Sequence, residues 1–458
     1  MRSSYAEFAN NDVLNTVSDD LTASLNESLA KLAVPHLSQQ DQVHLGDMIE
    51  CVATAERYHR SMDDNAMRYL VFFRQHMLRK EQDSTSRVGL NWREIVWAYH
   101  SGSQDILVDL VSKQFQGRML WEHARESGIF MWMTDLTALR AQFEVIARNE
   151  YTKTFEKNPI DCSLYYLALK KKNILIGLWR MASWNREQSS TQKLLSNNFE
   201  DSRWKTAALK NAYALLGKRR FEYAAAFFLL AGNLRDAVNV CAHQMQDLQL
   251  AIAVARVHDG DDSLVLHSLL EDKVLPQAAL EDNRWLATWA FWMLGRRDMA
   301  VRVLISPVYT LLDSPQTPKL QARSYLLSDP AFVVLYKQLR GKSLQTLKGA
   351  CEISPRAEWE FVIQNARLYD RMGCDLLALD LVRNWEFLLP LKTLGKAQDS
   401  SPDARKMVRR RSSLVVDDLP VPKSPTAEAK TGAVGRAPPP HTVFEEPDVN
   451  SLLDNFGF

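Results

Sequence analysis

Two short stretches of this 458-residue chain carry residue types that bind phosphate or a metal ion when their spacing is right. Gly341-Lys342-Ser343 matches the end of a phosphate-binding P-loop, but the glycine needed five residues earlier is Tyr336. A calcium loop beginning at Asp259 needs glycine at its sixth position and glutamate at its twelfth, where the chain has Leu264 and Leu270. Neither stretch therefore predicts a cofactor or metal site, and the acidic one is predicted to be a turn between helices.

Catalytic motifs are missing from the rest of the sequence. GxSxG, HExxH and GxGxxG do not occur, and the ten histidines are scattered. The five cysteines are odd in number and far apart, without a CxxC pair. This pattern fits neither a disulfide framework nor a zinc module, and it suits a reducing compartment. We therefore predict a protein that is not an enzyme and that needs no cofactor.

The segment 391–458 contains candidate sites of another kind. It holds 8 of the 17 prolines and none of the 12 tryptophans, a composition that predicts a disordered tail. Within it, Ser412 and Ser413 follow three consecutive arginines, a sequence that a basophilic kinase recognises. Phosphate on either serine would offset the local positive charge, so we predict a phosphorylation site there.

The second candidate in this tail is the short motif 447–458. Val449, Leu452, Leu453 and Phe456 recur at the spacing of one helix face, and Phe458 follows them. The acidic residues at the start of the motif suit the N-terminus of a helix. Such an acidic, amphipathic helix of one to two turns is predicted to dock into a groove, either of this chain or of a partner. The alternative is a frayed chain end.

The rest of the chain is predicted to be mainly helical. Residues 1–38 are polar and weakly helical, whereas residues 39–390 carry apolar residues at helical spacing, with few glycines and no sustained strand-type alternation. The stretch from Ser38 to Asp41 resembles a capping box, and Ser354-Pro355 predicts another helix start. The clustered tryptophans are predicted to be packing anchors between helices, with an aromatic binding groove as the alternative.

A turn motif, glycine followed five residues later by alanine, recurs along the chain. Its members are Gly232 and Ala237, Gly295 and Ala300, and Gly373 and Ala378. Such a glycine closes one helix in the left-handed conformation, and the small alanine lets the next helix pack closely. Because the spacings between the motifs are unequal, we predict an all-α, irregular α-solenoid of stacked helical hairpins with a disordered C-terminal tail.

The charges exclude a generally basic nucleic-acid binder, because 56 Lys and Arg balance 55 Asp and Glu at a net charge of +1. No apolar stretch approaches the roughly 20 residues of a transmembrane helix, and the first residues lack the apolar core of a signal peptide. Any membrane contact is therefore expected to be peripheral. The basic runs 170–172, 218–220 and 296–297 are predicted to be solvated helix ends, with a basic strip for an acidic partner as the alternative.

Several long strings, in order, resemble the C-terminal helical domain of the large subunit of the RAVE complex, the regulator of the ATPase of vacuoles and endosomes. Animal relatives of that subunit are rabconnectin-3 and the DmX-like proteins. The strings are DDNAMRYL (63–70), LNWREIVWAYHS (90–101), ARESGIFMW (124–132), ARNEY (147–151), NPIDCSLYYLALKKK (158–172) and RWKTAALKNAYALLG (203–217). The resemblance covers residues 35–312 and extends less closely to residue 390.

This resemblance implies a non-enzymatic role without cofactors or catalytic residues. The family promotes assembly of the peripheral V1 sector of the vacuolar proton pump onto its membrane V0 sector. Its partners include V1 subunits, a rogdi-like second subunit and the SCF adaptor Skp, and it implies a cytoplasmic protein recruited peripherally to vacuolar and endosomal membranes. The WD-repeat propellers of the family's large subunit are not visible in this sequence, so propeller functions are not expected of this chain alone.

Two functions of different classes follow. The first is a scaffold that holds V1 subunits while the pump assembles. The second is an α-solenoid subunit of a vesicle-coat or membrane-tethering complex, which shares the helical hairpins but binds other partners. The complex that co-purifies with the chain distinguishes them, and an enzyme with an unrecognised site would require measurable turnover.

Overall fold

A computed structural model describes residues 18–58, 60–82, 90–312, 329–346 and 353–387. Over these ranges the chain consists of helices joined by short turns, without a β-strand, so the predicted all-α fold of stacked helical hairpins is confirmed. The predicted tail 391–458 lies outside them. In the described ranges, no helix combines the length and the apolarity that a bilayer crossing requires.

The helices up to residue 217 are α1 (Asp19–Lys31), α2 (Gln39–Tyr58), α3 (Asp64–Gln82), α4 (Trp92–Tyr99), α5 (Gln104–Gln114), α6 (Trp121–Ser127), α7 (Ile129–Trp132), α8 (Leu136–Thr152), α9 (Pro159–Ala168), α10 (Lys172–Met181), α11 (Gln188–Leu195) and α12 (Ser202–Gly217). The later ones are α13 (Phe221–Leu230), α14 (Leu234–Asn239), α15 (Leu248–Asp259), α16 (Leu264–Leu269), α17 (Leu275–Glu281), α18 (Arg284–Met293), α19 (Arg297–Ile305), α20 (Val308–Leu311), α21 (Ala331–Thr346), α22 (Pro355–Arg371) and α23 (Asp375–Arg383). Two π-helical turns, Val240–Gln244 and Leu270–Val274, continue α14 and α16.

Two helices begin at the side-chain caps that the sequence predicts. The Ser38 hydroxyl accepts the amide of Asp41 at 3.2 Å, and the Asp41 carboxylate accepts the amide of Ser38 at 3.1 Å, so the capping box is confirmed. The Ser354 hydroxyl accepts the amide of Ala357 at 3.2 Å, with Pro355 as the first residue of α22. Each cap satisfies an amide that has no partner within its own helix.

Gly232, Gly295 and Gly373 lie in turns between consecutive helices, with φ angles of 78°, 70° and 75°. In each turn the amide after the glycine donates to the carbonyl five residues before it, as Asn233 does to Phe228 at 2.9 Å. These are Schellman turns, which need a left-handed residue at the glycine position. The paired alanines Ala237 and Ala300 are fully buried, and Ala378 packs partly buried against the core.

The helices do not contact only their neighbours in sequence. Trp97 of α4 packs on Trp285 of α18 with ring centroids 5.5 Å apart, and Trp92 packs on Trp289 at 5.1 Å. Both pairs join segments almost 200 residues apart, whereas repeats in a simple solenoid contact only adjacent repeats. Most tryptophans are therefore anchors between helices, as predicted, and they fold the array back on itself.

The short helix α7 lies at this junction with its carbonyl groups turned into the core. The indole Nε1 of Trp289 donates to the Met131 oxygen at 2.9 Å, and Nε2 of Gln104 donates to the Trp132 oxygen at 2.8 Å. The guanidinium of Arg256 satisfies the two flanking carbonyls. A buried carbonyl without a partner is costly, so these side chains fix how α5, α15 and α18 meet α7.

Candidate interaction groove

A groove of about 440 Å³ lies between α11, α12 and α13. Tyr223 and Phe227 of α13 form its floor, and both are buried. Its walls are the partly buried side chains of Leu194, Trp204 and Leu215. The volume falls within the range of about 300–1,000 Å³ found for ligand pockets, so it accommodates several apolar side chains.

Cations surround this apolar floor. Nη1 of Arg220 lies 2.7 Å from Oε1 of Glu187, and its guanidinium covers the Tyr223 ring at 5.0 Å from the centroid. Lys193 and Lys218 also line the groove; both are exposed, and neither forms an ion pair within the described residues. Apolar walls with two uncompensated cations favour an acidic, amphipathic ligand.

Sequence reasoning found only fragments of this groove. The basic run 218–220 was predicted to be a solvated helix end, and Trp204 was predicted to be a packing anchor. The structure places Trp204 partly buried on a groove wall beside Lys193, which lies on another helix. The available signal was a tryptophan near the start of α12 and a basic run directly after its end, but nothing in the local sequence indicated α11 as the opposite wall.

A second groove, of about 310 Å³, lies beside the two π-helical turns. Nζ of Lys273 donates to the Ala242 carbonyl at 2.7 Å, and burial lowers the pKa of this lysine. The lining contains the carboxylate of Asp272 as well as cations, and Leu264 at its edge is 84% exposed. Arg235 and Lys273 against Asp272 give this lining a net formal charge of +1, whereas Lys193, Lys218 and Arg220 against Glu187 give the α11–α13 groove +2. The second groove is therefore less selective for an acidic ligand.

Among the described carboxyl groups, that of Glu222 is the most perturbed, and it lies outside both grooves. Burial, together with the nearby carboxylates of Glu150 and Asp161, raises the pKa of Glu222 to about 7, and Lys153 opposes this shift. Glu222 is thus partly protonated at neutral pH. It is a source of pH-dependent stability rather than part of a binding surface.

The described part of the chain offers little for nucleophilic or metal chemistry. Burial raises the pKa of the Cys162 and Cys241 thiols, which keeps them protonated and weakly nucleophilic. Within the described ranges, no group of three or more His, Cys, Asp or Glu side chains is placed to hold a metal ion.

The remaining predicted site residues lie beyond the described ranges. These are the phosphorylation candidates Ser412 and Ser413 and the docking motif Val449, Leu452, Leu453, Phe456 and Phe458. The hairpin-turn residues are within the described ranges, and they lie in the turns and helix contacts described above rather than in the groove.

Comparison with known proteins finds one matching family and several relatives with related names. A family profile described as "RAVE protein 1 C terminal" matches residues 2–381. The chain is similar to "Regulator of V-ATPase in vacuolar membrane protein 1" of Schizosaccharomyces pombe, with 35% identity over 393 residues, which cover 81% of this chain and 30% of that protein. The protein of the same name from Saccharomyces cerevisiae is 33% identical over 442 residues, which cover 95% of this chain and 30% of that protein.

An animal protein is also similar to the chain, at lower sequence identity. Human DmX-like protein 1 is 30% identical over 402 residues, which cover 78% of this chain and 13% of that protein. The chain thus spans less than a third of the length of each of these relatives.

Proposed function

Because the chain belongs to the family described as "RAVE protein 1 C terminal", which confirms the resemblance inferred from its sequence, we propose that it takes part in regulating the vacuolar proton-translocating ATPase. Its role is that of a non-enzymatic scaffold. It holds the V1 sector while V1 assembles onto V0, and it thereby supports acidification of vacuoles and endosomes. The observation that carries this proposal is the sequence identity of 35% and 33% to two named V-ATPase regulators, which extends over most of the chain.

The architecture supports a scaffold. The described part of the chain is built of stacked helical hairpins, and the junction around α7 ties distant helices together through buried hydrogen bonds. A rigid surface loses little conformational entropy when it binds, so it presents several contact points at once at low cost. ATP hydrolysis then belongs to the pump and not to this chain.

The partners and the location follow from the same proposal. We expect contacts with V1 subunits, a rogdi-like subunit and the SCF adaptor Skp, and peripheral recruitment from the cytoplasm to vacuolar and endosomal membranes. Phosphorylation of Ser412 or Ser413 changes the charge of the tail.

A reassembly assay tests the scaffold. Purified V1 is added to vacuolar membranes stripped of V1, with and without the 458-residue chain, and both sedimented V1 and ATP-driven proton uptake are measured. We expect the chain to raise both quantities. The variant Arg256→Ala, which breaks the junction at α7, should lose the effect, whereas Arg367→Ala, at an exposed site on α22, should keep it.

A tagged pull-down from cytosol separates this function from its alternative. Recovery of V1 subunits with the tagged chain supports the scaffold. Recovery of coat or tethering subunits without V1 overturns it in favour of a coat or tether component. No recovery of V1, together with no effect in the reassembly assay, also contradicts the proposal for this chain.

A further inference from the structure

We propose that the α11–α13 groove binds a segment of the same chain, residues 445–458, and that this contact forms within one molecule. This inference goes beyond the proposed function because it concerns the chain alone and needs no pump subunit. It assigns the groove an occupant and the docking motif a receptor.

The apolar parts of the two surfaces match. The groove has a buried floor of Tyr223 and Phe227, with Trp204 on one wall. The segment offers Leu452 and Phe456 four residues apart, a spacing that would bring both side chains to one face of a helix. A groove of about 440 Å³ takes side chains of this size as anchors, while the rest of a short helix lies across its mouth.

The charges of the two surfaces are opposite. Lys193, Lys218 and Arg220 line the groove against a single carboxylate, that of Glu187, so its lining has a net formal charge of +2. Residues 445–458 carry four Asp and Glu and no Lys or Arg. Lys193 and Lys218, the groove cations without an ion pair in the described structure, are available to the acidic side chains of the segment. Complementary charges of this kind set the orientation of the segment and select it over neutral helices.

The connecting chain is long enough for contact within one molecule. Between Phe387, the last described residue, and Glu445 lie 57 residues. Fully extended, they span about 190 Å, whereas a folded domain of 400 residues has a radius of gyration of about 21 Å. Such a tether gives an effective concentration of about 1 mM or less, which favours the chain's own segment over that of a second copy at micromolar protein.

A competition measurement tests the proposal on the purified full chain. A fluorescein-labelled peptide of residues 445–458 is titrated with the chain, and its anisotropy reports binding. The triple variant Leu452→Ala, Leu453→Ala and Phe456→Ala removes the internal competitor. It should therefore bind the peptide about 10-fold more tightly than the unchanged chain, for an internal effective concentration about ten times Kd.

Two charge-reversal variants, one inside the groove and one outside it, form a matched pair. Adding Lys193→Glu and Lys218→Glu to the triple variant should weaken peptide binding at least about 10-fold, because like charges then face each other. Adding Lys205→Glu and Lys210→Glu instead makes the same charge change on exposed sites of α12 outside the groove, and should change binding less than about 2-fold. All four lysines are exposed, so we expect every variant to fold.

Hydrogen exchange locates the contact without a peptide. Amides of residues 188–227 should exchange faster in the triple variant than in the unchanged chain. Equal peptide affinity of the two proteins, or an equal loss of affinity with the Lys205 and Lys210 reversals, overturns the proposal. Dimerisation that the triple variant abolishes overturns it in favour of a second copy. Recovery of V1 by a chain whose groove does not bind the peptide would leave the proposed function standing and reject this inference alone.

Discussion

Nη2 of Arg256 donates a hydrogen bond to the carbonyl oxygen of Met133 at 2.7 Å, across 123 residues of sequence. The same guanidinium donates to the Phe130 carbonyl, and Nε lies 2.6 Å from a carboxylate oxygen of Asp261. The Arg256 side chain is 0% exposed, so its charge is compensated only by these partners. One side chain therefore holds α15 against α7, and the position of both helices depends on it.

Replacing this arginine should destabilise the protein strongly. Arg256→Ala leaves two buried carbonyl groups without partners and opens a cavity, so we expect the free energy of unfolding to fall by about 3–5 kcal/mol. Urea denaturation followed by circular dichroism measures the loss. Arg367→Ala, an exposed arginine on α22, is the control and should change stability by less than about 0.5 kcal/mol. Equal losses in the two variants would contradict the role given to Arg256.

Two glycines with positive φ should respond differently to alanine. At Gly128, with φ of 61°, an added Cβ would lie 2.9 Å from Cγ1 of the buried Ile95. At Gly232, with φ of 78°, an added Cβ meets nothing within 4 Å. The left-handed conformation costs alanine about 1–2 kcal/mol at both sites, and overpacking adds about 1–3 kcal/mol at Gly128 alone. The melting temperature of Gly128→Ala should thus be clearly lower than that of Gly232→Ala. The reverse order in thermal unfolding would exclude the close contact at Gly128.

Stability should depend on pH through Glu222. Its pKa is raised from an ordinary 4.5 to about 7, so the folded protein retains a proton that the unfolded chain loses. The free energy of unfolding therefore falls as pH rises from about 4.5 to 7, by up to about 3 kcal/mol from this group. Glu222→Gln removes the ionisation and should flatten the decline and stabilise the protein above pH 7. Denaturation curves between pH 5 and 8 measure both effects, and parallel curves for the two proteins would refute the assignment.

Asn65 and Gln338 should be energetically coupled. Their side-chain amides exchange two hydrogen bonds, of 2.9 Å and 3.1 Å, across 273 residues of sequence. A double-mutant cycle with Asn65→Ala and Gln338→Ala should give a coupling energy of about 1 kcal/mol. The same cycle with Lys337→Ala, the exposed neighbour of Gln338 on α21, should give a value near zero. If the two cycles agree, the contact between α3 and α21 does not form in solution.

Local features of this protein follow from the sequence because they depend on residues within about five positions of each other. The capping box at Ser38 and the Ser354 cap were predicted and are present. Even here the sequence signal is incomplete. Lys170 and Arg219 adopt the same left-handed conformation as the turn glycines, each with φ of 60°, although neither is glycine. Neither Lys170 nor Arg219 is a residue type that favours the left-handed conformation, and Gly217, the glycine closest to Arg219, is the last residue of α12 instead.

The amino-acid sequence by itself therefore determined the all-α class, the hairpin pattern and the family, because helix periodicity, caps and long matching strings are all local. Only the tertiary structure decided that Arg256 meets Met133 and that Lys193 and Trp204 share one groove. Such contacts depend on how more than twenty helices stack. That arrangement results from many weak packing and hydrogen-bond contributions that act together, and no single stretch of residues encodes it.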